Sequence, residues 1–103
     1  MRIITVSRDD PDPDLIEEVV DSLLDGEVIA YPTDTLYGLG CDATNTASVG
    51  RLRAIKGRSE ELPLPVIVSN RSVLAHLVHG MTDDLAPVIE RYWPGALTVI
   101  FGT

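Results

Sequence analysis

Between Pro13 and Gly26 the apolar residues Leu15, Ile16, Val19, Val20, Leu23 and Leu24 recur at three- and four-residue spacing. That period places them on one face of a helix. The acids Glu17, Glu18, Asp21 and Asp25 fall mostly on the watery side. Asp12 can cap the start, Pro13 suits the first turn, and Gly26 suits the exit. Elsewhere the apolar positions come in short runs, many of them β-branched: Arg2–Val6, Glu27–Pro32, Pro65–Ser69 and Ala96–Phe101. These runs predict four strands, the second apolar enough to be central. A helical period returns from about Ala47 to Ile55, with Asn45 or Thr46 as cap and Val49, Leu52 and Ile55 as its core stripe. "RSVLAHLV" and "TDDLAPVIERYW" predict two more helices, the last capped by Thr82.

The resulting order is strand, helix, strand, loop, helix, loop, strand, helix, helix, strand. It predicts an α/β sheet domain. There is no repeat, linker or low-complexity tract, and 103 residues predict a single domain, 1–103. The chain stops right after an apolar strand. A sheet ending there leaves an open edge or relies on more chain, so the expectation is a truncated or shortened protein.

Composition narrows the function classes. No apolar run approaches the roughly 20 residues of a membrane span, and the first ten residues lack the apolar core of a signal peptide. A soluble, cytoplasmic protein is the expectation. One cysteine, Cys41, allows no intrachain disulfide. With two histidines, His76 and His79, three apart on one short helix, no third ligand for zinc is evident. Packing or surface roles suit them better, and Cys41 reads as a small buried residue. The net charge of -8 argues against broad nucleic-acid binding. A local basic site is still open, because Arg51, Arg53, Lys56 and Arg58 fall within eight residues and Lys56 is the only lysine.

Two segments could carry chemistry. The loop after the second strand, "YPTDTLYGLGCDATN", holds Thr33, Asp34, Thr35 and Tyr37 between an apolar run and two glycines. Its hydroxyls lack a neighbouring base and are poor nucleophiles. They suit hydrogen bonds to a small polar ligand, with Gly38 and Gly40 allowing close backbone approach. They equally suit a turn that satisfies its own backbone. The second segment is "AIKGRSEELPL". Gly57 frees Lys56 and Arg58 to converge, as a point charge and a fork, on a polyphosphate. The same residues also make an ordinary basic helix end with a glycine stop. Neither GxxxxGK[ST] nor GxGxxG is present.

Taken together, "YPTDTLYGLG", the Lys-Gly-Arg 21 residues after Thr35, Pro63–Leu64 and "YWPGALTVIF" resemble the YrdC family, the threonylcarbamoyl-AMP synthases. The resemblance runs from about Ile29 to Phe101. It implies a twisted open sheet with flanking helices and a concave, positively charged site. It implies an enzyme that joins L-threonine, bicarbonate and ATP into threonylcarbamoyl-adenylate and pyrophosphate, with Mg²⁺ carried on the ATP and no tightly bound cofactor. A downstream transferase then moves the group to tRNA. Carried over residue by residue, Thr35 contacts threonine, Thr33 and Tyr37 shape its pocket, and Lys56 and Arg58 hold the phosphates and stabilise their charge in the reaction. Asp34 matches an acidic position and takes no assigned step.

The match departs in three places. Ser59 stands where proline is frequent. Ser69 and Asn70 stand where some members have a histidine. The family's enzymes are about twice this length, in the upper part of the single-domain range, and their second half carries a Ser-x-Asn motif that completes the ATP site. Three readings follow: a synthase or half of one; a nucleotide- or RNA-binding module of the same fold; or a YrdC-like domain of a hydrogenase-maturing carbamoyltransferase. The third expects segments ahead of the domain, whereas here the first strand starts at Arg2. Self-pairing as a homodimer is a further expectation for a chain of this length.

Overall fold

The computed structural model describes residues 1–57, 62–78, 84–95 and 97–100. The chain divides into two compact units, Met1–Pro63 and Leu64–Thr103.

In the first unit, α1 spans Pro13–Leu24. Asp12 accepts from the Asp14 amide at 2.9 Å and Pro13 occupies the first turn. Both fit the needs of a helix start, where amides lack partners and proline's missing donor costs nothing. The exit passes through Gly26 at φ +88°, a left-handed conformation that favours glycine. The chain then forms β1, Ile29–Pro32, which turns back as β2, Tyr37–Gly40. The pair is antiparallel, with Ile29 opposite Gly40, Ala30 opposite Leu39, Tyr31 opposite Gly38 and Pro32 opposite Tyr37. The expected long loop is therefore half strand. The second helix, α2, spans Thr46–Lys56, and Asn45 caps it by accepting from the Ser48 amide at 3.1 Å.

One buried hydrogen bond fixes where α2 begins. Ser48 is fully buried, and its hydroxyl donates to the carbonyl of Gly26 at 2.8 Å. A β-carbon built on Gly26 would lie 3.1 Å from both Ser48 Oγ and Asn45 Nδ2. The first turn of α2 is thus seated on the bare backbone that leaves α1. Of the expected α2 stripe, Leu52 is buried and Val49 half-buried, but Ile55 is 58% exposed.

In the second unit, α3 spans Arg71–Leu77 and α4 spans Leu85–Tyr92. Asn70 caps α3 by accepting from the Val73 amide at 3.1 Å. Among the described residues of this unit, Leu74 of α3 and Ile89 of α4 are the buried apolar ones, and Arg71 pairs with Glu90 at 2.9 Å on the surface. Trp93 is half-buried and its indole donates to the Leu97 carbonyl at 2.9 Å. The expected Thr82 cap lies outside the described residues.

The four-strand expectation is corrected here. Among the described residues the sheet has two strands, β1 and β2. Arg2–Val6, Pro65–Ser69 and the described part of Ala96–Phe101 carry no ladder. Apolar, β-branched composition fits a pleated surface, but a strand also needs a neighbour for its amides and carbonyls. Ile3, Ile67 and Ile100 are 84%, 80% and 91% exposed, while Ile4, Val68, Leu97 and Val99 are half-buried, so these runs have no ladder and only partly covered faces. Among the described residues the β1 run, read as central, is paired with β2 alone. The architecture is mixed α/β. No described helix is long and apolar enough to cross a membrane.

Candidate functional site

The hairpin tip is organised by Thr33. Its amide donates to the Leu36 carbonyl at 3.1 Å, and its hydroxyl donates to the same oxygen. The hydroxyl oxygen also accepts from the amides of Thr35 and Leu36, at 3.4 and 3.1 Å. Thr33 therefore spends its hydrogen-bonding capacity inside the turn. It shapes the tip and has little left for a ligand. Asp34, Thr35, Leu36 and Tyr37 are all exposed. Neither the Thr35 nor the Tyr37 hydroxyl has a partner among the described residues. Thr35 thus stands as a donor and acceptor on a turn whose backbone is already satisfied.

The two glycines of this loop have a different occupant from the one their spacing brought to mind. A β-carbon at Gly40 would lie 2.9 Å from Tyr31 Cε1, and one at Gly38 would lie 3.4 Å from Tyr31 Cζ. The Tyr31 ring covers both positions. An aromatic laid over strand glycines restores the packing that their missing side chains forfeit. Close approach is real here, but the approaching group is Tyr31.

Beyond β2, Asp42 makes a second local turn. Its carboxylate accepts from the Thr44 amide at 2.9 Å and the Thr44 hydroxyl at 2.7 Å. Those bonds hold the Asp42 carboxyl below its ordinary range. The neighbouring Cys41 thiol is pushed up, first by burial and then by the Asp42 charge, against a smaller opposing pull from Arg51. A raised thiol is mostly protonated at neutral pH and is a weak nucleophile.

Lys56 is the last residue of α2 and is exposed. Gly57 follows at φ +66°, its amide donating to the Ala54 and Arg53 carbonyls. This left-handed cap is the glycine stop the sequence allowed. It turns the chain sharply just past Lys56. The partial negative charge of a helix C-terminus repels anions, so a phosphate here would depend on side-chain cations alone. Arg53 is half-buried and reaches over the turn: its Nη1 donates to the Leu62 carbonyl at 2.6 Å. Arg58 lies outside the described residues, as does His79.

The fold thus gathers Thr33, Thr35 and Tyr37 at one hairpin tip and sets Lys56 at the end of the helix that follows. Among the described residues no hydrogen bond or ion pair joins Lys56 to that tip. Reasoning from spacing missed β2 and the Arg53 contact; the Thr33-centred turn is the self-satisfying turn that the sequence had left open beside a ligand site. The Arg53 contact spans nine residues and had no signal.

The Sua5/YciO/YrdC family, described as "Telomere recombination", matches residues 21–103. A threonylcarbamoyl-AMP synthase of Bacillus subtilis (strain 168) is 38% identical over 95 residues, covering 92% of this chain and 27% of the relative. One from Halorhodospira halophila is 37% identical over 86 residues, covering 84% of this chain and 45% of the relative. One from Methylobacillus flagellatus is 42% identical over 76 residues, covering 74% and 42%. The chain spans less than half the length of these relatives. No solved structure matches it. With a family match that takes in β1, the hairpin tip, α2 and the Lys56 turn, the chain belongs to the Sua5/YciO/YrdC family.

Proposed function

We propose that this chain carries the L-threonine- and phosphate-binding part of a threonylcarbamoyl-AMP synthase. The observation that carries the reading is the division of labour within the matched region. Thr33 is consumed in building the turn, which leaves Thr35 with an uncommitted hydroxyl, while the Gly57 cap leaves Lys56 exposed at a turn in the chain. A small hydroxy-amino acid needs the first kind of group and a triphosphate needs the second.

In this reading the threonine amine and bicarbonate condense to a carbamate with loss of water, and a carbamate oxygen attacks the α-phosphorus of ATP. The new phosphorus–oxygen bond forms as the bond to the β-phosphate oxygen breaks, and pyrophosphate leaves with the electron pair. Mg²⁺ arrives with ATP as part of the substrate. Lys56 and Arg58 neutralise charge on the phosphates, and Thr35 orients the amino acid. Such a step needs positioning and cations, and no protein nucleophile.

The fold belongs to the same proposal. A twisted open sheet with flanking helices is the fold this reading implies for the whole family domain. The cellular setting would be cytoplasmic. A tRNA threonylcarbamoyl transferase would take the product, and a homodimer is one way to cover the open strands.

The test is pyrophosphate release with ATP, Mg²⁺, bicarbonate and L-threonine, each omitted in turn, beside Lys56→Ala. Release that needs threonine and is lost in the variant supports the proposal. A folded chain that releases none, with or without added downstream family sequence, refutes it.

A further inference from the structure

We propose that Asp25–Gly26 is a latent self-modification site, able to convert to isoaspartate, and that the seating of α2 on the α1 exit holds it shut. It is the one Asp-Gly pair in the chain, and no Asn-Gly pair occurs. A glycine nitrogen reaches a preceding carboxyl carbon readily, because glycine carries no side chain to obstruct the approach. The new bond joins the Gly26 nitrogen to Asp25 Cγ. The nitrogen gives up its proton, a carboxyl oxygen leaves as water, and a cyclic imide results. Water then opens the ring at either carbonyl. Opening at the former backbone carbonyl leaves the chain running through Cγ, with the old carbonyl as a free carboxylate. One water is lost and one is regained, so no other reactant is needed.

The fold blocks the first step. The Asp25 side chain is exposed, but Gly26 is buried. The Gly26 amide donates to the Leu23 carbonyl at 3.0 Å, and the Glu27 amide donates to the Ser22 carbonyl at 3.1 Å. The Gly26 carbonyl accepts from Ser48 Oγ at 2.8 Å. Both peptide units of Gly26 are thereby tied in place. Asp25 has a ψ of -2°, which lines the Gly26 nitrogen up with Asp25's own nitrogen and away from the side chain. The ring cannot close until the peptide between Asp25 and Gly26 turns, and that turn breaks the Leu23 bond. The exit must therefore open first. Ring closure is slow beside such openings, so its rate follows the population of the open form. The product carries one more backbone atom ahead of Gly26. That displaces the Gly26 carbonyl from Ser48 and marks chains whose exit has opened.

The test holds the parent, Ser48→Ala and Asp25→Asn at neutral pH, each in native buffer and in urea. Isoaspartate is read by peptide mapping with a protease that cuts before aspartate but not before isoaspartate, and circular dichroism is the folding control. The parent should convert at least about tenfold more slowly in native buffer than in urea. Ser48→Ala should convert severalfold faster than the parent in native buffer and at the parent's rate in urea. Asp25→Asn keeps every bond of the exit, since none of them uses the Asp25 side chain. It forms the same ring by losing ammonia, and its native rate should also lie at least about tenfold below its urea rate. Equal native and urea rates in the parent or in Asp25→Asn overturn the proposal. So does a folded Ser48→Ala that converts at the parent's native rate, and so does an absence of isoaspartate in urea. If Ser48→Ala does not fold, the Asp25→Asn comparison decides.

Discussion

Replacing Ser48 by Ala removes the one buried bond that seats α2 on the exit of α1. The hydroxyl is 0% exposed and donates to Gly26 O at 2.8 Å; Gly26 is buried as well. The substitution deletes an exchange worth about 1 kcal/mol in net terms and strands a buried carbonyl, which costs roughly 1–3 kcal/mol. We take about 2 kcal/mol, a shift of roughly 30-fold in the unfolding equilibrium. For a domain this small each kcal/mol moves Tm by about 4–8 °C, so Ser48→Ala should melt roughly 8–16 °C lower. The assay is thermal and urea unfolding followed by circular dichroism. A loss below 2 °C with an unchanged cooperative transition would refute the reasoning, because the bond would then contribute nothing net. A second comparison sharpens the test. Gly26→Ala is strained by its φ of +88° and by two approaches of 3.1 Å, one of them to Ser48 Oγ. Removing that oxygen relieves part of the crowding, so the double variant should lose less stability than the sum of the single variants.

The other perturbations concern the hairpin and its neighbourhood. Gly40→Ala places a methyl 2.9 Å from the Tyr31 ring, so the ring must move; tyrosine fluorescence should change and stability fall by about 1–2 kcal/mol, whereas Gly38→Ala, at 3.4 Å, should cost less. Thr44→Val removes one of the two bonds that favour the Asp42 carboxylate, so its titration, followed by NMR, should move up toward the ordinary value. The sign for stability follows from the depressed folded value: the Asp42 contribution is present above the unfolded pKa, is lost as pH falls through the folded one, and should shrink in Thr44→Val.

Local structure was readable where a local rule decides it. The caps Asp12 and Asn45 and the exits Gly26 and Gly57 follow from interactions with backbone groups a few residues away, whereas the expected apolar face of α1 has no buried residue, with Ile16, Val20 and Leu24 exposed. Strands are not of that kind. Ile3, Val66 and Ile67 have the composition of strand residues, but a ladder depends on a partner elsewhere in the chain, which composition does not specify. The candidate site was legible in the same uneven way. Lys56 and Gly57 sit where their spacing placed them. Thr33 looked like Thr35 in sequence, and only the turn geometry separates the builder from the residue left uncommitted. Gly38 and Gly40 announced a close approach without saying that Tyr31 makes it. Arg53 gave no sign in the sequence of its contact with a backbone carbonyl nine positions away.

The account's central claim is that the hairpin tip and the end of α2 answer to two different ligands. The most direct measurement is an NMR titration of the ¹⁵N-labelled chain, first with L-threonine and then with Mg-ATP. The account predicts that threonine shifts the amides of Thr35 and its turn, that Mg-ATP shifts Lys56 and Gly57, and that Lys56→Ala abolishes only the second response. Shifts confined to neither place, or a Mg-ATP response that survives in Lys56→Ala, would contradict it.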